Sequence, residues 1–386
     1  MQKSLDTKIA NIRANPRGAK DFILADAKDA DMAFGLASPG IDPQTGKMRS
    51  LSDYRDQIRE IAKSNLVDIM LMSASTSEII TIKERLFDNS PVTPACRGND
   101  TTDVHVIAGS DYIKQPSRPF RTATIEQIQS GKVNPTPEER KLGADLALYS
   151  MTMNNQIAFD YATLQAYRDF RIEAETKNFR HFLEVFDPNA CGGACPKDVG
   201  RFLADLIART LAGVPSAGRP IFLKIPYHGP AAMEAIVHYD PYLIPGVLGG
   251  SAGTTMDAFK LLHDAKKHGA RAALFGRKIN TSEHQLAFVR YLRMLADGVI
   301  EPKEAVKSYH AELAKMKLKP NRDLKSDLEI TINAASYGGT SAPTANKDTK
   351  PQAAPTATPN FKKMTTAEKV AYSRARLKSQ IANSTS

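Results

Sequence analysis

The chain has 386 residues, 42% of them hydrophobic, which allows one large core plus an appendage, and no apolar run is long enough to span a bilayer. The N-terminal stretch MQKSLDTKIANIR lacks the apolar segment of a secretory signal, so a cytoplasmic protein with no membrane partner is expected. The formal net charge is +10, but +6 of it falls between Asn346 and Ser386, and the body carries no nucleic-acid-binding motif, which argues against nucleic acid as a partner.

After a polar N-terminal segment, FILADAKDADM (Phe22 to Met32) opens with a buried strand followed by three aspartates and a lysine. A Gly/Pro loop leads to a helix near Ser50 to Ser64 with Tyr54, Ile58 and Ile61 on one face. VDIMLMSAS (Val67 to Ser75) is the second strand, Thr76 to Asn89 a helix, and VTPAC (Val92 to Cys96) the third strand. The irregular stretch from Arg97 to about Glu139 is too long for an ordinary connection and reads as functional or inserted. ADLALYSMT (Ala144 to Thr152) is the fourth strand, Phe159 to Lys177 a helix, and FRHFLEVFDP (Phe179 to Pro188) the fifth strand. The pair Cys191 and Cys195 has no histidine cluster beside it and reads as a reduced loop pair. A helix starting at Pro196 and stopping at Gly213 carries the stripe Val199, Leu203, Leu206 and Ile207.

IFLKIPYHG (Ile221 to Gly229) is the sixth strand, bounded by Pro220 and Pro226 and carrying Lys224 within an apolar run. Burial disfavours the ammonium form, and a neutral lysine amine is a nucleophile suited to imine formation with a carbonyl. The alternative is a strand-end lysine whose head reaches water or a carboxylate. Pro230 to His238 is a short helix, and the seventh strand ends at Gly249 and Gly250. Thr255 is read as the cap of the next helix, ARAALFGRKI (Ala270 to Ile279) as the eighth strand, and Ser282 as the cap of a long helix. Eight strands alternating with helices imply a (β/α)8 TIM barrel over residues 1–326; a doubly wound open sheet is the rival, but it lacks its phosphate loop after the first strand.

In such a barrel reactive groups lie at the C-terminal strand ends. The candidates are Asp26, Lys28, Asp29 and Asp31 after strand one, and Arg97 after strand three. Strands four to six add Tyr149, Glu184, Asp187, Lys224, Tyr227 and His228. Gly249, Gly250, Ser251 and Gly253 after strand seven, with Gly276 and Arg277 after strand eight, form a pair of anion-binding elements: glycines let backbone N–H groups approach a phosphate, and arginine adds a cation.

The segments FLKIPYHGP, GVLGGSAGTTMDAFKLLHDAKKHGA and AALFGRKI resemble the archaeal-type class I fructose-bisphosphate aldolases and the wider DeoC/LacD/DhnA-like group of Schiff-base aldolases. The resemblance covers about Ile221 to Ala296. It implies that Lys224 forms the imine with a phosphorylated ketose, that the glycine loops and Arg277 hold the phosphate, and that neither metal nor other cofactor is needed. It places Asp29, or Asp26 in a rival alignment, at the family aspartate after strand one, although no histidine follows. Lys278 stands where the family usually has asparagine. Proton transfer falls to Asp29, Tyr149, Glu184 or Tyr227, among which the sequence does not choose. Thiolase-like acyl transfer by the same lysine, and a catalytically altered barrel that binds sugar phosphates or acts as a scaffold, are the competing functions. Members of the group commonly assemble, so a homo-oligomer is expected.

Residues 327–362 have the composition of a flexible linker, and 363–386 that of a short amphipathic helix, opened by the capping box Thr365/Glu368. This extension reads either as an idle tail or as a docking element for a protein partner, the latter resembling the peptides that direct enzymes into the shell of a bacterial microcompartment.

Overall fold

A computed structural model of the protein describes residues 1–42, 45–250 and 253–332. The expectations for Ser251 and for the tail beyond 332, including the amphipathic helix at 363–386, lie outside the described residues.

The eight expected strands form one closed parallel barrel rather than an open sheet. They are β1 (Ile23–Lys28), β2 (Ile69–Met72), β3 (Thr93–Arg97), β4 (Leu146–Thr152), β5 (Arg180–Phe186), β6 (Leu223–Ile225), β7 (Pro245–Leu248) and β8 (Ala272–Phe275). Each pairs with its sequence neighbours, and β8 closes on β1 through Ile23 opposite Ala272 to Asp26 opposite Phe275. Closure requires a tight approach of backbones at Gly246, where a Cβ would lie 2.6 Å from the Ala272 Cβ and 2.7 Å from the Leu223 carbonyl oxygen.

Nearly every strand residue is buried because each strand has two covered faces. One set of alternate residues fills the barrel: Ile23, Ala25, Ala27, Ile69, Leu71, Ala95, Leu146, Leu148, Phe182, Phe222, Ala272 and Leu274. The other set packs outward on the helices, as do Leu24, Met70, Met72, Tyr149, Leu183, Val185, Leu223 and Phe275. The polar-looking N-terminal segment is in fact a helix, α1 (Ser4–Ala14), whose Leu5, Ile9 and Ile12 join the barrel-filling cluster from below. Each such side chain contributes roughly 1.5–3 kcal/mol of gross burial. Lys8 ties this plug to the strand starts through the Phe22 carbonyl at 3.0 Å and Asp68 at 2.8 Å.

Several local expectations are corrected. The helix expected at Thr76–Asn89 runs only from Ala74 to Lys83, and its last six residues are wound as a π-helix. The helix expected from Pro196 starts at Val199, where the Asp198 carboxylate accepts from the Arg201 amide at 2.9 Å. Thr254, not Thr255, caps helix Thr255–Lys267 in a capping box with Asp257. His284, not Ser282, caps helix Gln285–Asp297, its Nδ1 accepting from the Ala287 amide at 3.1 Å. Cys191 and Cys195 are joined as a disulfide rather than standing reduced; the 3-10 turn Gly192–Ala194 folds back so that their Cα atoms lie 5.0 Å apart. The long stretch after β3 holds a two-stranded ribbon (Asp100–Thr101 against Pro119–Phe120) and helix Ile125–Ser130.

A last helix, Pro302–Lys315, and the short turn Leu324–Asp327 return the chain to the barrel mouth. There the Asp257 carboxylate accepts from the Thr331 hydroxyl at 2.6 Å and from the Thr331 amide at 3.0 Å, and the Thr254 hydroxyl donates to the Glu329 carbonyl at 2.7 Å. No helix among the described residues is long and apolar enough to cross a membrane.

Candidate active site

Strand parity decides which polar side chains reach the barrel interior. On β5, Phe182 faces inward, so Glu184 and Phe186 follow it; on β6, Phe222 carries Lys224 with it; on β3, Ala95 carries Arg97. All three lie at the C-terminal ends of their strands. There they line one cavity, together with Asp29, Gly249, Gly250, Gly276 and Arg277. Its empty volume is about 740 Å³, part of it open to solvent. Apolar side chains complete the walls, chiefly Phe34, Val104, Val106, Phe186 and Leu248.

Lys224 is 8% exposed, but it is not isolated in apolar surroundings as expected. Glu184 stands opposite it in the β5–β6 register, with Oε1 2.6 Å from the Lys224 Nζ. The other carboxylate oxygen, Oε2, accepts from the Ser150 hydroxyl at 2.7 Å. Ser150 is itself fixed by Asn99, which replaces a strand partner: its Oδ1 accepts from the Ser150 amide at 2.7 Å and its Nδ2 donates to the Ser150 carbonyl at 2.8 Å. The amine therefore sits at the end of a hydrogen-bonded polar chain, the arrangement that makes a buried charge tolerable.

Across the cavity, Arg97 donates from Nη1 to Asp29 at 2.8 Å and from Nε to Asp100 at 2.7 Å. Burial opposes the guanidinium charge, but Asp100, Asp29 and Glu184 outweigh it and raise its basicity well above the ordinary value. Arg277 reaches the same space from the turn after β8, its guanidinium 6.0 Å from the Phe34 ring centroid. Burial lowers the basicity of Arg277, and the Glu184 charge partly restores it. The two glycine turns have a packing reason as well as a chemical one. A Cβ at Gly249 would strike the Phe275 ring, and one at Gly276 would sit 2.6 Å from the Ala27 carbonyl oxygen.

Thus Lys224, Asp29, Glu184, Gly249, Gly250, Gly276 and Arg277 come together as the sequence leads one to expect. Other candidates do not. Tyr149 lies on the outward face of β4, packed against Tyr167 and Phe170 with centroids 5.0 and 4.6 Å away. Burial pushes its hydroxyl above the ordinary tyrosine range. Tyr227 also points outward, into the helix-facing cluster, where burial and then Asp264 and Glu234 push it up to about 12. Gly253 does not line the cavity; its carbonyl oxygen accepts from Lys278 at 2.9 Å and Arg322 at 3.1 Å. Lys278 thus holds the Gly253 carbonyl and does not line the cavity. Asp26 and Lys28 form a wholly buried pair on the outer face of β1, 3.0 Å apart, with Lys28 also donating to Asn280 at 2.5 Å. Asp31 accepts from Ser73 at 2.5 Å, and Asp187 pairs with His228 at 2.7 Å. The sequence reading missed Ser150 and Asn99; a serine in the inward register of an otherwise apolar strand was the available signal.

No protein-family model matches the chain, and no curated protein matches it by sequence. Solved structures do match. A Schiff-base-forming fructose-1,6-bisphosphate aldolase superposes with a TM-score of 0.54 at 15% identity, over 75% of this chain and 99% of that one. The fold is that of these aldolases. An archaeal fructose 1,6-bisphosphate aldolase gives 0.52 at 15% identity over 75% and 99% of the two chains. The fructose-bisphosphate aldolase from Slackia heliotrinireducens DSM 20476 gives 0.57 at 14% identity over 80% and 91%.

Proposed function

We propose that the protein is a lysine-dependent, Schiff-base-forming aldolase that makes or breaks a C–C bond in a phosphorylated ketose. The observation that carries this reading is the Lys224–Glu184 contact of 2.6 Å in a cavity that is also lined by Gly249, Gly250, Gly276 and Arg277.

The phosphate docks on the glycine turns and Arg277, which places the ketone beside Lys224. Proton transfer from the Lys224 ammonium to the Glu184 carboxylate frees the amine for attack at the carbonyl carbon. The resulting carbinolamine loses its hydroxyl as water, with Glu184 returning the proton to the departing oxygen, and an iminium remains. The bond between the carbons α and β to the iminium breaks, its electron pair forming the enamine double bond while the iminium π pair moves onto nitrogen. Asp29, oriented by Arg97, takes the proton of the hydroxyl that becomes the aldehyde. The enamine left on Lys224 is then protonated and hydrolysed to release the second product. Every group in this sequence belongs to the chain.

Borohydride reduction in the presence of a ketose phosphate, followed by mass analysis of peptides, tests the assignment. Covalent retention of the sugar on Lys224 is expected. Absence of any adduct, with sugar phosphates bound but not cleaved, would return the protein to the reading of a binding or scaffold barrel. Acyl transfer to Lys224 would appear instead as an amide that forms without reductant.

A further inference from the structure

This inference rests on the aldolase reading and concerns the aldehyde that the site releases or takes up. The long stretch after β3 sends two apolar side chains, Val104 and Val106, to the cavity wall. They meet the segment that follows β1. The Val106 amide donates to the Ala33 carbonyl at 2.8 Å, and Ala30, Ala33 and Phe34 of the helix Ala30–Phe34 line the same cavity. Ala30 directly follows Asp29, and Ala33 lies one turn further along the same helix face. The wall next to Asp29 in the chain is thus hydrocarbon: none of these five side chains carries a hydrogen-bonding group.

Buried polar side chains hold the two valines in place. Asp103, fully buried beside Val104, accepts from the Ser117 hydroxyl at 2.7 Å and from the Thr152 hydroxyl of β4 at 2.8 Å. The Val104 and His105 amides both donate to the Thr101 carbonyl at 3.1 Å. Asn189, after β5, fixes the returning limb by donating to the Ile113 carbonyl at 2.9 Å and the Gln115 carbonyl at 2.7 Å. Turning the valines aside for a polar ligand group would break several of these bonds.

We propose that the carbon chain of the aldehyde lies on this wall, so that Val104 and Val106, with Ala33 and Phe34, select alkyl aldehydes over polyhydroxylated aldehydes of the same length. Asp29 serves one hydroxyl, the one that becomes the aldehyde oxygen. A hydroxyl on the next carbon would give up its water against the wall and find no partner there. An alkyl group at the same place loses only its unfavourable contact with water. Discrimination of this kind, a hydroxyl against a hydrocarbon surface, reaches about a hundredfold.

The test is carboligation by the full chain, with dihydroxyacetone phosphate as the ketone and either propanal or D-glyceraldehyde as the acceptor. The enamine carbon of the Lys224 adduct attacks the aldehyde carbon, Asp29 gives its proton to the aldehyde oxygen, and hydrolysis of the iminium releases the ketose phosphate. Referred to the unhydrated aldehydes, kcat/KM should be at least about tenfold higher for propanal. Equal or better use of glyceraldehyde, with borohydride trapping of dihydroxyacetone phosphate at Lys224 intact, overturns the selection and leaves the aldolase reading standing. No trapped adduct overturns the aldolase reading and the inference with it. Val104→Thr combined with Val106→Thr keeps the side-chain shape and adds hydroxyls, and should shift the ratio severalfold toward glyceraldehyde. An unchanged ratio in the folded variant overturns the assignment to these valines. Should that variant fail to fold, the wild type decides: kcat/KM that rises from acetaldehyde through propanal to butanal supports the apolar wall, and a flat or falling series overturns it.

Discussion

Glu184 Oε1 lies 2.6 Å from Lys224 Nζ, directly across the β5–β6 register, and its other oxygen is held by Ser150. The proposed nucleophile and its proposed proton carrier are thus neighbours on adjacent strands, positioned by backbone pairing and not by loops.

Lys224→Met should abolish the reducible adduct and reduce cleavage to background, while still binding phosphate at the Gly249 and Arg277 end. Trapping by mass spectrometry and phosphate binding by calorimetry separate the two effects. A variant that still forms an adduct would transfer the role to another lysine.

Glu184→Gln keeps the hydrogen bond from Ser150 but cannot shuttle a proton. Turnover should fall by roughly 10²- to 10⁴-fold. The fall should appear in the rate of imine formation, measured by stopped reduction with borohydride, more than in KM.

Arg277→Gln removes the cation proposed to hold the phosphate. Hydrogen bonds to charged groups are worth about 1.5–3 kcal/mol, so KM for a phosphorylated ketose should rise about 10- to 100-fold. For the same sugar without phosphate, KM should change little. A parallel loss with both sugars would show that Arg277 acts on the fold instead.

Tyr149→Phe and Tyr227→Phe should leave kcat/KM within about twofold, because both side chains point away from the cavity into the helix layer. A large loss in either variant would contradict the strand register described above.

His181 gives a pH signature. It faces outward from β5 against Tyr167, whose hydroxyl is 2.9 Å from the His181 Nε2. Burial first, and the Arg171 charge second, push its pKa from 6.5 down to about 3. The unfolded chain therefore binds a proton that the folded chain refuses. Stability is full above pH 6.5 and is lost as pH falls through the window toward 3, at up to about 1.4 kcal/mol per pH unit for one proton. His181→Gln should flatten the melting temperature across that window, as measured by thermal denaturation from pH 7 to about 4.

The barrel was legible because each strand is a short apolar run set off by turn residues and followed by a helix-length segment. Within a strand the reading was weaker. In ADLALYSMT nearly every residue is buried, so nothing in the hydrophobic pattern says whether Tyr149 or Ser150 faces the cavity. On β5 and β6 the inward register carries Glu184 and Lys224, but on β1 the polar Asp26 and Lys28 face outward, so polarity alone does not give the register. The α1 helix was overlooked because its apolar positions, Leu5, Ile9 and Ile12, are few and diluted by charged neighbours, although they recur at helical spacing. The glycines after β7 and β8 were read for chemistry alone; close packing on Phe275 and Ala27 demands them regardless of any ligand. Asn99 could not be placed at all, since its contact with Ser150, 51 residues away, has no local signature.

The helix that plugs the barrel floor and the Asp257 staple on Thr331 set the two ends of the described chain at opposite poles. Whatever is attached ahead of Ser4 hangs from the sealed pole, far from traffic. Ile332 closes the described chain at the pole that holds the cavity, so an adaptor or label joined after it would sit on the same side as any ligand of the proposed site.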